Sequence, residues 1–166
     1  LPKSKRKAMN YDLHIHSNYS FDSLMRPGGI VRAAKFRGLS MISVTDHGNM
    51  DIYENEFSPE HRERIFEEHD LFVIPGMEIK TNCGDVIGLF VEEEITGTEF
   101  DDVISQIRSQ DGLVVLPHPY HRDVDPVEII SEVDLVESVN GRCRPEKNYR
   151  AIELAKEEGI PIIGGS

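Results

Sequence analysis

The chain has 166 residues, 39% hydrophobic and 29% charged, with a formal net charge of −12. That length suits one domain with a buried core, the charge has the wrong sign for a broad nucleic-acid surface, and no apolar run approaches the roughly 20 residues a membrane helix needs. Two cysteines, Cys83 and Cys143, are too few for a disulfide framework, and with no secretory-type apolar region near the start the expected setting is the reducing cytoplasm, without a membrane partner.

Residues 1–9 read as a solvated basic tail carrying Lys3, Lys5, Arg6 and Lys7, and 10–166 as a single domain. Asp12-Leu13-His14-Ile15-His16 reads as a strand in which Asp12, His14 and His16 share one face. Two imidazoles at that spacing either hold a divalent ion at about 2.0–2.2 Å or are ordinary core histidines. A polar turn containing Asp22 follows, then a helix through Ile30–Arg37 ended by Gly38. Met41–Thr45 is a second strand, tipped by Asp46 and His47, and 49–57 reads as a loop. Ser58-Pro59-Glu60 starts a helix running to His69, whose His61 and His69 sit among Arg and Glu and read as solvated.

Leu71–Met77 is a third strand ending at Glu78, a carboxylate open to a surface, salt-bridge or metal role. Asn82-Cys83-Gly84-Asp85 has turn chemistry ahead of a fourth strand, Val86–Val91. Thr98 heads a helix with an apolar stripe of Phe100, Val103, Ile104 and Ile107, and Leu113–Leu116 is strand five. His118 stands between Pro117 and Pro119, which should hold it extended at the strand end. His121 and Arg122 either reach an anionic substrate or merely lie in an exposed loop. A short helix at Pro126–Glu132, strand six at Leu135–Val139, a helix from Pro145 to Glu158 and strand seven at Ile160–Gly164 complete the chain.

Parallel strands joined by helices gather their carboxyl ends at one mouth, and His14, His16, Asp22, His47, Glu78 and His118 all fall at such ends. In that order the motifs resemble the PHP superfamily, named for the domain shared by bacterial replicative polymerases and histidinol phosphatase. Asp12-Leu13-His14-Ile15-His16-Ser17 with Ser20 and Asp22, then Thr45-Asp46-His47, Gly76-Met77-Glu78 and Pro117-His118-Pro119 carry the likeness.

The resemblance implies an α/β fold, a distorted (β/α)7 TIM-like barrel, and two or three divalent ions of zinc, manganese or iron. Their ligands would be His14, His16, Asp22, His47, Glu78 and His118, with Glu78 as the bridge and Asp46 orienting a ligand from behind. It implies a phosphoesterase acting on a small phosphomonoester or a nucleotide end through metal-activated hydroxide. His121, Arg122, Asn140 and Arg142 are candidate substrate contacts, with Arg144 a further phosphate clamp. Asp85, where many members carry histidine, is a possible extra ligand. The family's last Asp-x-His motif does not appear before Ser166, so a fragment lacking the closing elements of its barrel is expected. Two other readings are a catalytically silent binding module and a metal-dependent hydrolase of a non-phosphate bond. Neither the substrate nor the oligomeric state is legible in the residues.

Overall fold

The computed structural model describes residues 9–166, so the basic segment read at 1–9 lies, but for Met9, outside the described residues. Seven strands form one sheet in chain order: β1 Tyr11–Ile15, β2 Met41–Val44, β3 Phe72–Thr81, β4 Gly84–Leu89, β5 Leu113–Leu116, β6 Leu135–Asn140 and β7 Ile162–Gly165. The sheet curls into a nearly closed barrel, in which the Ser166 N–H just past β7 donates to the His14 carbonyl on β1 at 3.2 Å. The helices are α1 Pro27–Phe36, α2 Asp51–Asn55, α3 Pro59–His69, α4 Phe100–Ser109 and α5 Pro145–Glu158.

Local chemistry accounts for the helix ends. Proline opens α1, α3 and α5, where its missing N–H is no loss. Ser58 Oγ accepts from His61 N at the start of α3, and Gly159, at φ +69, takes the left-handed turn that ends α5. The stripe on α4 behaves as its spacing predicts, with Phe100, Val103, Ile104 and Ile107 all buried.

The sheet departs from the all-parallel expectation at β4, which pairs antiparallel with both β3 and β5. A two-residue connection, Asn82-Cys83, joins Thr81 to Gly84, and a turn that short can only reverse the chain. The hairpin ladder also lengthens β3 to Thr81, so Glu78 sits inside a strand rather than after one. Because β4 runs backwards, its first residues, not its last, reach the barrel mouth, and they bring Asp85 with them.

Two smaller expectations also change. Residues 51–55 are helical where a loop was expected: Met50, Ile52, Tyr53 and Phe57 are buried, and the Tyr53 hydroxyl lies 2.7 Å from the Val44 carbonyl and 2.9 Å from that of Ile74. Residues 126–132 form two 3-10 turns, Pro126–Glu128 and Ile130–Glu132, in place of one helix.

Two apolar layers result. Ile42, Val44, Met77, Val114, Leu116 and Val136 face the helices, while Leu13, Ile74, Ile87, Leu89, Val115 and Ile163 plug the barrel. On the plugged face the two-residue period runs upward into polar groups: Ile74 is followed by Gly76 and Glu78, and Leu135 by Glu137. The barrel therefore has an apolar floor and a charged mouth.

Candidate metal centre

A register shift between Asp12 and Ile15 breaks the alternation of β1. Through that bulge Leu13 packs into the barrel floor while its neighbour His14 reaches Glu78 and Glu137 above it. His16, just beyond the strand, joins His14, but Asp12 does not, against the expectation of one shared face. The Asp12 carboxylate instead accepts from Ser166 Oγ at 2.6 Å and from His14 N at 3.3 Å.

Glu78 is the hub, and it is 1% exposed. Its Oε2 lies 3.1 Å from His14 Nε2, 3.2 Å from His16 Nε2 and 3.4 Å from His47 Nδ1. Its Oε1 lies 3.1 Å from His118 Nε2. Backbone pairing sets this meeting, since His47 bridges to Glu78 and the Gly48 N–H donates to the Glu78 carbonyl at 2.9 Å. Asp22 stands 3.7 Å from His16 Nδ1 and 3.9 Å from His47 Nε2, held by Ser20 Oγ and by the Arg142 guanidinium, each at 2.8 Å. Asp85 completes a group with Glu78 and His118.

Glu137 is the group that sequence reasoning missed. It is 1% exposed, and its Oε1 lies 2.9 Å from His14 Nδ1 while its Oε2 accepts from the His118 N–H at 2.8 Å. Gly165 makes room for it, because a Cβ there would overlap both the His14 Cβ and Glu137 Oε1. The available signal was an ionisable residue inside the apolar run Leu135–Val139, which needs a partner once buried.

His118 is not extended. Its φ is +30, a strained value for a non-glycine residue, kept by the bond to Glu137 and by its carbonyl accepting from His121 N at 2.8 Å. Those bonds outweigh the preference imposed by Pro119.

The remaining sequence candidates divide. Asp46 is buried and accepts from the Ser17 N–H at 2.6 Å and from Ser17 Oγ, which pins the residue after His16 to the end of β2. Arg142 and His121 line the mouth, and the His121 ring meets His118 edge-on with centroids 5.8 Å apart. Asn140 lines it too, but its side-chain amide donates to both Glu137 oxygens at 3.1 Å. Arg122 spends its guanidinium on the carbonyls of Cys83, Asp85 and Pro117. Arg144 sits exposed at the N-cap position of α5 and makes no side-chain capping bond.

The donor set fits divalent ions. Among the described residues, four groups of three, each with ligand atoms within 4.8 Å, share the mouth: His14–His16–Glu78, His16–Asp22–His47, Glu78–Asp85–His118 and His14–His118–Glu137. His14 Nε2 and His16 Nε2 are 3.0 Å apart, and two lone pairs so placed repel unless a proton or a cation lies between them. Atoms each about 2.0–2.2 Å from one ion are spaced at about 3.0–3.5 Å, the spacing found here. His16 Nδ1 and His118 Nδ1 are buried without a hydrogen-bond partner, which leaves donor capacity unspent. A cavity of about 370 Å³ opens above these groups.

Electrostatics tie the cluster together. Burial alone would push the His14 imidazole down, but hydrogen bonds and charge from Glu137 and Glu78 lift it from 6.5 to about 10. Burial would raise the Glu78 carboxyl, and bonds from His118, His14 and His16 hold it well below its ordinary range instead. For a raised histidine the stabilisation is complete below its unfolded value, about 6.5, and is lost as pH rises through about 10. In the metal-free protein near neutrality His14 therefore carries a proton that an incoming ion must expel. Metal uptake should release protons and tighten as pH rises, by up to about tenfold per pH unit for each proton. Calorimetric titration with zinc in buffers of different ionisation enthalpy checks this, and a heat independent of the buffer would refute it.

With this geometry in hand, comparison places the chain among known proteins. The family model described as the PHP domain matches residues 12–159. The uncharacterized protein MJ1587 of Methanocaldococcus jannaschii is 33% identical across 68% of this chain and 68% of its own length. MJ0417 of the same organism, also uncharacterized, is 30% identical across 95% of this chain and 64% of its own length. This chain thus spans about two thirds of the length of either relative. Among solved structures, an amidohydrolase from Chromobacterium violaceum with bound sulfate and no metal superposes with a TM-score of 0.75 at 13% identity, over 95% of this chain and 86% of that one. A protein of Bifidobacterium adolescentis, for which metal-dependent phosphoesterase activity has been suggested, superposes at 0.73 and 15% identity, over 96% and 87%. Likeness at such low identity concerns the fold.

Proposed function

This chain belongs to the PHP domain family, and on that premise we propose that it is a metal-dependent hydrolase of phosphate esters, with a small phosphomonoester or a nucleotide end as substrate. The observation that carries the proposal is the convergence of His14, His16, His47 and His118 on the two oxygens of one buried carboxylate, Glu78. A carboxylate with different histidines on each oxygen is built to serve two ions at once. His14, His16, Asp22, His47, Glu78 and His118 would hold two or three ions of zinc, manganese or iron, with Asp85 as a further oxygen donor. Bound there, such ions would supply a water acidic enough to attack at neutral pH and the positive charge a phosphoryl group requires.

This chain's own groups would do the rest. Glu137 accepts from His14 Nδ1, fixing the tautomer that turns Nε2 toward the centre. Asp46 keeps the Ser17 backbone, and with it His16, in place. Arg142, 66% exposed at its side chain and bonded to Asp22, can swing its free donors onto phosphate oxygens. Hydrolysis of a different bond by the same centre is the second reading, favoured by the fold shared with the Chromobacterium violaceum amidohydrolase.

Elemental mass spectrometry of the purified chain and phosphate release from p-nitrophenyl phosphate test the proposal together. Two or more ions per chain, with release abolished by a chelator, are expected. Ions retained without hydrolysis of any phosphate ester would transfer the reading to another bond or to a binding module. As controls, His61→Ala and His69→Ala should change metal content by less than a tenth of an ion. Both histidines border a separate cavity between α1 and α3, beside Val31 and Ile65.

A further inference from the structure

Beside the mouth lies a second cavity of about 520 Å³, walled by the β3–β4 hairpin, the 120–124 loop and Lys147 of α5. Asp85 and His121 line both cavities, so the two adjoin. Three cations line this cleft without an ion-pair partner among the described residues: Lys80, Arg122 and Lys147. Arg62, Arg108 and Arg142 each find a carboxylate elsewhere, and what sets the cleft apart from other unpaired surface cations is that three gather here, one of them largely buried.

Arg122 is the most telling of the three. Its guanidinium is largely buried, donates to the carbonyls of Cys83, Asp85 and Pro117 at 2.8–3.0 Å, and leaves Nε with no partner. Carbonyls satisfy its hydrogens, burial works against its charge, and Asp85 and Glu78 offset that charge only from beyond ion-pair distance, which leaves a buried cation incompletely compensated. Gly84, at φ +97, lets the hairpin lie on it, because a Cβ there would come within 3.0 Å of the arginine side chain. Lys147 is just as unexpected by local rules. It occupies the first turn of α5, where the helix dipole disfavours a cation, and among the described residues no carboxylate lies within 4.0 Å of its ammonium. A feature that breaks local preference without a visible gain within the fold points to a ligand. The carboxylates at the cleft are Asp85, which groups with Glu78 and His118 at the metal centre, and Asp123, exposed at the lip.

We propose that this cleft is an anion subsite, so that the substrate is a phosphate ester whose alcohol part carries a second acidic group, phosphate or carboxylate, held by Lys80 and Lys147 over Arg122. The substrate class rests on the phosphate-ester reading, whereas the subsite itself does not. Lys80 and Lys147 supply mobile ammonium donors, Arg122 supplies fixed charge from below, and Asp85 and His121 stand where the alcohol part passes between the cavities.

The test has two arms, each comparing the wild-type chain with the double variant Lys80→Ala, Lys147→Ala. In the first, the metal-free chain labelled with 15N is titrated with inorganic phosphate and, separately, with malonate. Shifts are expected at the amides of Lys80, Gly84 and Lys147, with affinity about tenfold weaker in the variant, the worth of one charge-assisted hydrogen bond. The better of the two probes identifies the second group. Shifts confined to the His14 and His118 surroundings, or equal affinity in both proteins, would overturn the subsite. In the second arm, the metal-loaded chain is given fructose 1,6-bisphosphate against fructose 6-phosphate, and 3-phosphoglycerate against glycerol 3-phosphate. Preference for the doubly acidic member should fall about tenfold in the variant, and an unchanged preference would also overturn the subsite. Failure to hydrolyse any ester, with anion binding still lost in the variant, would remove the phosphate-ester reading and leave the subsite standing.

Discussion

Replacing Glu78 by glutamine should strip at least one ion from the metal centre while leaving the barrel folded. The amide has nearly the shape of the carboxylate, so the pairing of β3 with β4 and of Glu78 with His47 survives. What it loses is charge and one acceptor. In the native chain Oε2 faces His14, His16 and His47 while Oε1 faces His118, and an amide offers oxygen to one side and N–H to the other. At least one ion per chain should be lost, and hydrolysis should fall by more than about 100-fold, the upper range for groups that merely support ligands. Elemental analysis and phosphate release read both effects, with circular dichroism confirming the fold. Wild-type metal content in the variant would sink the assignment of Glu78 as a ligand.

Glu137 should give the next largest effect, through a different route. Its carboxylate touches His14, the His118 backbone and Asn140, so it orients ligands from behind. Glu137→Gln should weaken metal affinity about 10–100-fold, as removal of such supporting carboxylates does, without changing how many ions bind at saturation. That separation of affinity from stoichiometry distinguishes it from Glu78→Gln, and a lost ion would mean that Glu137 is itself a ligand. Glu137→Ala goes further, because the buried His118 N–H and Asn140 amide lose their acceptor, at a cost of about 1–3 kcal/mol for each unsatisfied group. Urea unfolding of the metal-free proteins measures that cost, and a variant as stable as wild type would show that water takes over both bonds.

How much of this was readable in the residues depended on the range of the physics involved. His14 and His16 stand two apart beside a polar turn, and His118 stands between prolines, so their presentation at strand ends is a local property of the chain. The same holds for Pro59 at the first position of α3 and for the stripe on α4. Local rules failed where a distant partner outweighed them. Asp12 left the expected shared face because a bulge in β1 and the Ser166 hydroxyl claimed it, and His118 took φ +30 because Glu137 binds its N–H. Arg122, readable as an anion binder in a loop, turned inward once the hairpin carbonyls of Cys83 and Asp85 came within reach.

Motif order and residue type were enough to settle the family and the seven strands and to single out candidate ligands, because donor identity and strand periodicity are written within a few residues of one another. The choice of Glu137 as the carboxylate behind His14 and the gathering of Lys80, Arg122 and Lys147 around one cleft came only with the closed barrel, whereas the reversal of β4 that carries Asp85 to the mouth follows from the two-residue Asn82-Cys83 turn. The first two outcomes join residues 25 to 123 positions apart, and contacts of that span are set by the packing of the whole sheet rather than by any stretch of chain.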